Sequence, residues 1–72
     1  MSFITSTEAK KRNKGKSSSY IKGYFDGYNN PKRSLEDFTR LMESGKYDSL
    51  SDKSKDFIDG KGKGIEDRKR EE

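Results

Sequence analysis

Tyr20-Ile21-Lys22-Gly23-Tyr24-Phe25-Asp26-Gly27-Tyr28-Asn29 is the stretch that decides the fold. Its apolar side chains, Tyr20, Ile21, Tyr24, Phe25 and Tyr28, recur at i, i+1, i+4, i+5 and i+8, which makes one face of an α-helix. Lys22, Gly23, Asp26 and Gly27 occupy the other side. Each glycine costs a helix about 1 kcal/mol relative to alanine. Two of them in one short helix point to close packing against another backbone, or to a helix that frays. Ser17, Ser18 and Ser19 offer N-caps before the stretch, and Asn29, Asn30 and Pro31 close it, because proline disfavours helical geometry in the residue before it.

Working outward, Ser34-Leu35-Glu36-Asp37 resembles a capping box with Asp in place of Glu. Leu35, Phe38, Leu41 and Met42 follow at helical spacing, and Gly45 sits where a helix ends, so a second helix is expected over 35–44. Tyr47 and Leu50 fall in a short connection, and Ser51 or Asp52 can cap a third helix through Phe57, Ile58 and Asp59, with Gly60 as its terminator. Period-two alternation is nowhere sustained, so no strand is expected. Residues 1–19 are Lys-, Ser-, Gly- and Asn-rich and read as a disordered basic arm. Gly60-Lys61-Gly62-Lys63-Gly64 and the charged residues to Glu72 read as a flexible tail or a frayed helix. The expectation is an all-α domain of two to three helices over 20–59, between an arm at 1–19 and a tail at 60–72. Its core is expected to hold Tyr20, Ile21, Tyr24, Phe25, Tyr28, Leu35, Phe38, Leu41, Met42, Leu50, Phe57 and Ile58, with several tyrosine rings at the surface edge so that their hydroxyls find partners.

Composition narrows the function. The chain has 72 residues, 25% hydrophobic and 42% charged, and no Cys, His or Trp. Without Cys or His it has neither a disulfide nor a zinc site to support so small a core. The commonest general base and the thiol nucleophile are missing as well. A non-enzymatic protein is expected, with no cofactor, no metal and no small-molecule substrate. Phe3 and Ile4 are the only large apolar residues between Met1 and Tyr20, too few for a secretory segment, and no apolar run approaches a membrane span. The expected location is the cytoplasm of a bacterium or of an infected host cell. Three strings mimic known sites. Gly15-Lys16-Ser17 ends like a phosphate-binding loop but lacks its earlier glycine. Gly60–Gly64 reads as a linker, and Asp48, Asp52, Asp56 and Asp59 lack the glycine and glutamate of a calcium loop.

The net charge of +4 is concentrated in residues 1–16, where Lys10, Lys11, Arg12, Lys14 and Lys16 face only Glu8. Such an arm suits phosphates or an acidic protein surface. Beside it, Tyr20 and Tyr28 are candidates to stack on unpaired bases while cations hold the backbone. The candidate nucleic-acid contacts are therefore Lys10, Lys11, Arg12, Lys14, Lys16, Tyr20, Lys22, Tyr28, Lys32 and Arg33.

The form aromatic-x-x-Gly-x-x-x-Gly occurs twice, at Tyr20-Ile21-Lys22-Gly23-Tyr24-Phe25-Asp26-Gly27 and at Phe57-Ile58-Asp59-Gly60-Lys61-Gly62-Lys63-Gly64. Small residues at i and i+4 on both segments would let two helix backbones approach closely. The pattern resembles the ribosome modulation factor family, small basic helical bacterial proteins that bind ribosomal RNA and hold ribosomes inactive. Gly23, Tyr24 and Gly27 follow that family's first motif, a Gly-Tyr-x-x-Gly helix. Phe57, Gly60 and Gly64 follow the second more loosely, with Lys61 where the family has an aromatic residue. The segment between the motifs is also longer here and carries the 34–45 helix. The resemblance implies a ribosomal RNA or ribonucleoprotein partner.

The mixed charges beyond residue 32 favour a different class of function: a protein-directed inhibitor or adaptor, of the kind phages use to disable a host enzyme or defence complex. Its partner would be a single larger host protein, anchored through Tyr28, Phe38 or Tyr47. A third option is a scaffold component that orders only on assembly.

Overall fold

The computed structural model describes residues 3–72. Among them the chain forms four α-helices and no strand: α1 Ser6–Arg12, α2 Ser18–Asn29, α3 Pro31–Ser44 and α4 Asp52–Glu71, with a 3₁₀ turn at Tyr47–Ser49 before α4. The all-helical class is as expected, but helix extends on both sides of the 20–59 core. No described helix is long and apolar enough to cross a membrane.

α2 begins where the serine run suggested, with the Ser17 hydroxyl accepting from the Tyr20 amide. It ends at Asn30, and Pro31 opens α3 directly, in the first turn, where its missing N–H costs nothing. The expected cap at Ser34 is therefore displaced. Ser34 lies inside α3, 1% exposed, and its hydroxyl bonds the Asp26 carbonyl and carboxylate of α2. Gly45, at φ 71°, closes α3 in the left-handed conformation that glycine adopts without strain.

The principal contact joins α2 to α4. Progress along α2 from Gly23 to Gly27 matches progress along α4 from Phe57 to Lys61, and Gly60 and Gly64 face Tyr20–Tyr24 and Tyr24–Tyr28 in turn, so the two helices run parallel. A Cβ at Gly60 would sit 2.8 Å from the Tyr20 carbonyl carbon, and one at Gly64 2.8 Å from the Tyr28 nitrogen. Reciprocally, Cβ atoms at Gly23 and Gly27 would lie 2.9 Å and 3.0 Å from backbone atoms of Lys61. The two copies of the repeat thus form one interlocked pair, the close approach that their spacing suggested.

This contact explains why α4 does not stop at Gly60. Among the described residues the only positive φ values are at Gly15 and Gly45, so Gly60, Gly62 and Gly64 are ordinary helical residues, and the missing side chains of Gly60 and Gly64 admit α2. α4 runs on to Glu71, where the sequence reading put a flexible tail. α3 returns antiparallel across both helices and lays the Phe38 ring on Gly62, with a Cβ there 2.9 Å from the ring edge.

The core keeps Tyr24 and Tyr28 of the expected list but loses several of its aliphatic members. Tyr24 and Tyr28 are buried as expected, and Ile21 and Phe25 pack against them, while Leu35 and Met42 stand 51% and 40% exposed. Ile4 and Ala9, from the segment expected to be disordered, are buried instead. Close packing of backbones and tyrosines has replaced a layer of leucines.

Candidate nucleic-acid interface

α1 lies within the segment read as a disordered arm. The Thr5 hydroxyl caps it by accepting from the Glu8 amide, and the Asn13 side chain donates to the Ala9 carbonyl at its other end. Asn29 of α2 clasps the segment before it, donating to the Ile4 carbonyl at 3.0 Å and accepting from the Ile4 amide at 2.9 Å. Ala9 is fully buried beneath α1. These contacts offset the ordering entropy that composition alone leaves uncovered.

Arg12 fastens the C-terminal end of α1. Its guanidinium donates to Glu8 at 3.0 Å, to the Tyr24 hydroxyl at 3.2 Å and to Glu71 at 2.9 Å, and it lies 5.2 Å from the Tyr28 ring centroid. Tyr24 in turn donates to Asp67 at 2.6 Å, and Tyr28 to Glu71 at 2.6 Å. Arg68 donates to the Tyr28 carbonyl at 2.7 Å and approaches the Tyr28 ring from α4. The two stacked tyrosines are therefore enclosed by arginines, with each hydroxyl satisfied by a carboxylate of α4.

The network shifts its titratable groups. Hydrogen bonds to Tyr24 and Glu8 raise the Arg12 pKa further, on a guanidinium that is charged in any case. Burial, reinforced by the bond to Asp67, pushes the Tyr24 hydroxyl up to about 12. Burial works against the Asp67 charge, yet the bonds from Tyr24 and Arg70 hold its carboxyl below the usual range. Glu71 is held low chiefly by the Tyr28 hydroxyl and then by Arg12.

The ten candidate contacts separate into two groups. Arg12 and Tyr28 are committed internally; Tyr28 is 2% exposed and cannot present its ring to a base. Lys10, Lys11, Lys14 and Lys16 are exposed on α1 and the turn after it, and among the described residues none lies within ion-pair distance of a carboxylate. Lys16 reaches over the half-buried Tyr20 ring, 5.1 Å from its centroid. Lys22 is exposed on α2 and lines a groove against α3 and α4. Lys32 and Arg33 are exposed at the start of α3.

Of the protein-interface candidates, Tyr28 is buried, Phe38 covers Gly62, and the Tyr47 hydroxyl donates to Asp59 at 2.7 Å, which pushes its pKa up to about 12. The exposed large apolar side chains among the described residues are Leu35, Met42 and Phe3, the last with the Arg68 guanidinium 5.6 Å from its ring centroid.

Sequence reasoning missed Lys61. Placed in a flexible linker, it is instead 6% exposed at the junction of α2, α3 and α4, with Nζ 3.2 Å from Asp26, 3.9 Å from Asp37 and 4.9 Å from the Phe57 ring centroid. Its signal was its place inside the second copy of the repeat.

No group of three or more potential metal ligands is assembled among the described residues. No family model, curated protein or solved structure matches this chain.

Proposed function

We propose that this protein is a non-enzymatic module that docks on RNA within a ribonucleoprotein, the ribosome first among them, and modulates it. The observation that carries the reading is the set of Lys10, Lys11, Lys14 and Lys16, presented by docked α1 and the turn after it with no carboxylate partner among the described residues, and flanked by Tyr20 under Lys16. A fixed cluster of lysines engages phosphates at a smaller ordering cost than a disordered arm would. The thinnest dimension of the molecule, 14 Å between Cα extremes, is that of two packed helix layers, Cα cylinders about 4.6 Å across set about 8–10 Å apart, which supports a role exercised at the surface. The choice of ribosome rests on the resemblance carried by the Gly23/Gly27 and Gly60/Gly64 repeat.

Binding of the full chain to a single-stranded RNA oligonucleotide and to purified ribosomes, across a salt series, tests the reading. Four phosphate contacts correspond to a slope of log K against log[salt] of about −3 on single strands. Replacing Lys10, Lys11, Lys14 and Lys16 together by Gln is expected to flatten that slope and weaken binding. Undiminished affinity and slope in the fourfold variant would refute it. The exposed Leu35 and Met42 favour a second reading, a protein-directed inhibitor. Under that reading, a pull-down from lysate retains one protein after nuclease treatment, and the fourfold lysine variant retains it equally.

A further inference from the structure

One apolar concavity lies away from α1. A groove of ≈ 460 Å³ opens between α2, α3 and α4, floored by Leu41, Leu50 and Phe57 and edged by Lys22 of α2 and Lys53 of α4. No carboxylate lines it, and neither lysine makes an ion pair among the described residues. In a chain with thirteen acids, an apolar floor between two unneutralised cations is a specific arrangement. A second hollow of ≈ 390 Å³, lined by Ile21, Phe25, Ser6 of α1 and Asp26, shares Lys22 and Phe57 with the first; its Asp26 carboxylate is paired with Lys61 at 3.2 Å, so the acid-free apolar track is the first groove alone.

We infer that this track binds an extended acidic segment of a partner protein, one that places a bulky apolar side chain in the groove and carboxylates beside Lys22 and Lys53. Charge complementarity selects the sign of the occupant, since an apolar anchor followed by a base would meet two like charges. The shape selects its size. Small-molecule sites enclose most of their ligand, whereas an open track only covers one side of what lies in it. That suits a side-chain row presented by a larger body that shields the rest. This site is independent of the α1 lysines, so the protein would join an acidic protein segment on one surface to its RNA on another.

A random-peptide library displayed on phage and panned against the full chain provides the test. Selected peptides are expected to pair Leu, Phe or Met with flanking Asp or Glu. A synthetic copy of the strongest should bind the Lys22→Glu/Lys53→Glu variant at least ~10-fold more weakly than the parent. Both lysines are exposed, so the variant's circular dichroism and melting curve should match the parent's. Leu41→Asp, which places a charge in the floor, should abolish binding independently. Selected peptides without acids, or an affinity indifferent to the charge reversal, would overturn the inference. So would an empty selection, with or without octanoate binding in the same groove.

Discussion

Substituting Ala for Gly60 tests the central claim, that backbone contact between α2 and α4 holds the molecule together. By propensity alone Gly60→Ala should stabilise a helix by about 1 kcal/mol. The packing predicts the opposite sign. The new methyl would lie 2.8 Å from the Tyr20 carbonyl carbon and 3.0 Å from the Tyr24 nitrogen. Carbon atoms at rest stand about 3.5–4.0 Å apart, so the helices must separate locally by about 0.7 Å or more. The obstructing atoms are backbone and cannot rotate away. Overpacking of this kind costs ~1–3 kcal/mol, which offsets or outweighs the propensity gain and is comparable to the whole stability of so small a domain. A net loss of up to about 2 kcal/mol is expected, read from urea unfolding followed at the helical circular-dichroism band. Gly62→Ala is the matched comparison: its methyl would meet only the edge of the Phe38 ring, at 2.9 Å, and that ring can move. It should be neutral or stabilising. Adding Gly64→Ala to Gly60→Ala should cost less than it does alone, because the helices have already moved apart. Equal effects of Gly60→Ala and Gly62→Ala would refute the reasoning.

Arg12→Ala should release α1 selectively, at a cost of about 1–2 kcal/mol; hydrogen exchange should show lost protection at Ala9 and Asn13 with α2 and α4 still protected. Lys61→Met should be near neutral in urea unfolding, because Asp26 and Asp37 keep solvent access, whereas Asp26→Ala/Asp37→Ala strands a buried ammonium and should cost ~3 kcal/mol. Asp67 and Glu71 titrate below their unfolded values, so their stabilisation is complete above about pH 5 and is lost as pH falls through their depressed folded values. Tyr24 has the opposite sign: its pKa is raised to about 12, so its contribution is intact below pH 10 and is lost as pH rises from about 10 to 12. Thermal melts across pH should show both limbs, and Tyr24→Phe should remove the Tyr24 part of the alkaline one.

Much of α2 was legible because its apolar period and its Ser17 cap are both local signals. The close pairing of Gly23 and Gly27 with Gly60 and Gly64 was legible too, from spacing alone. What escaped had non-local causes. A glycine reads as a helix terminator until the partner backbone that occupies its missing side chain is known, so α4 was expected to end at Gly60. Residues 3–19 carry little apolar surface of their own beyond Phe3, Ile4 and Ala9. They order because Asn29, Tyr24 and Glu71, all remote in sequence, supply the hydrogen bonds. The same reach removed Tyr28 and Arg12 from the expected binding surface. Lys10, Lys11, Lys14 and Lys16 stand exposed without an ion pair among the described residues, Lys16 reaching over the Tyr20 ring.

The parallel course of α2 and α4 bears on how the chain is made. Tyr24 meets Asp67, and Tyr28 meets Glu71, across 43 residues. Helical proteins usually fold through contacts between near neighbours, and fast. Here, when α2 leaves the ribosomal exit tunnel, its tyrosine-and-glycine face has no counterpart until α4 has followed. Until then the nascent chain holds α2 and α3 as transient helices with their inner surface uncovered. Folding should therefore appear as one late step on release of α4, detectable by protease challenge of stalled chains of increasing length. A chain cut before Gly64 should never become resistant.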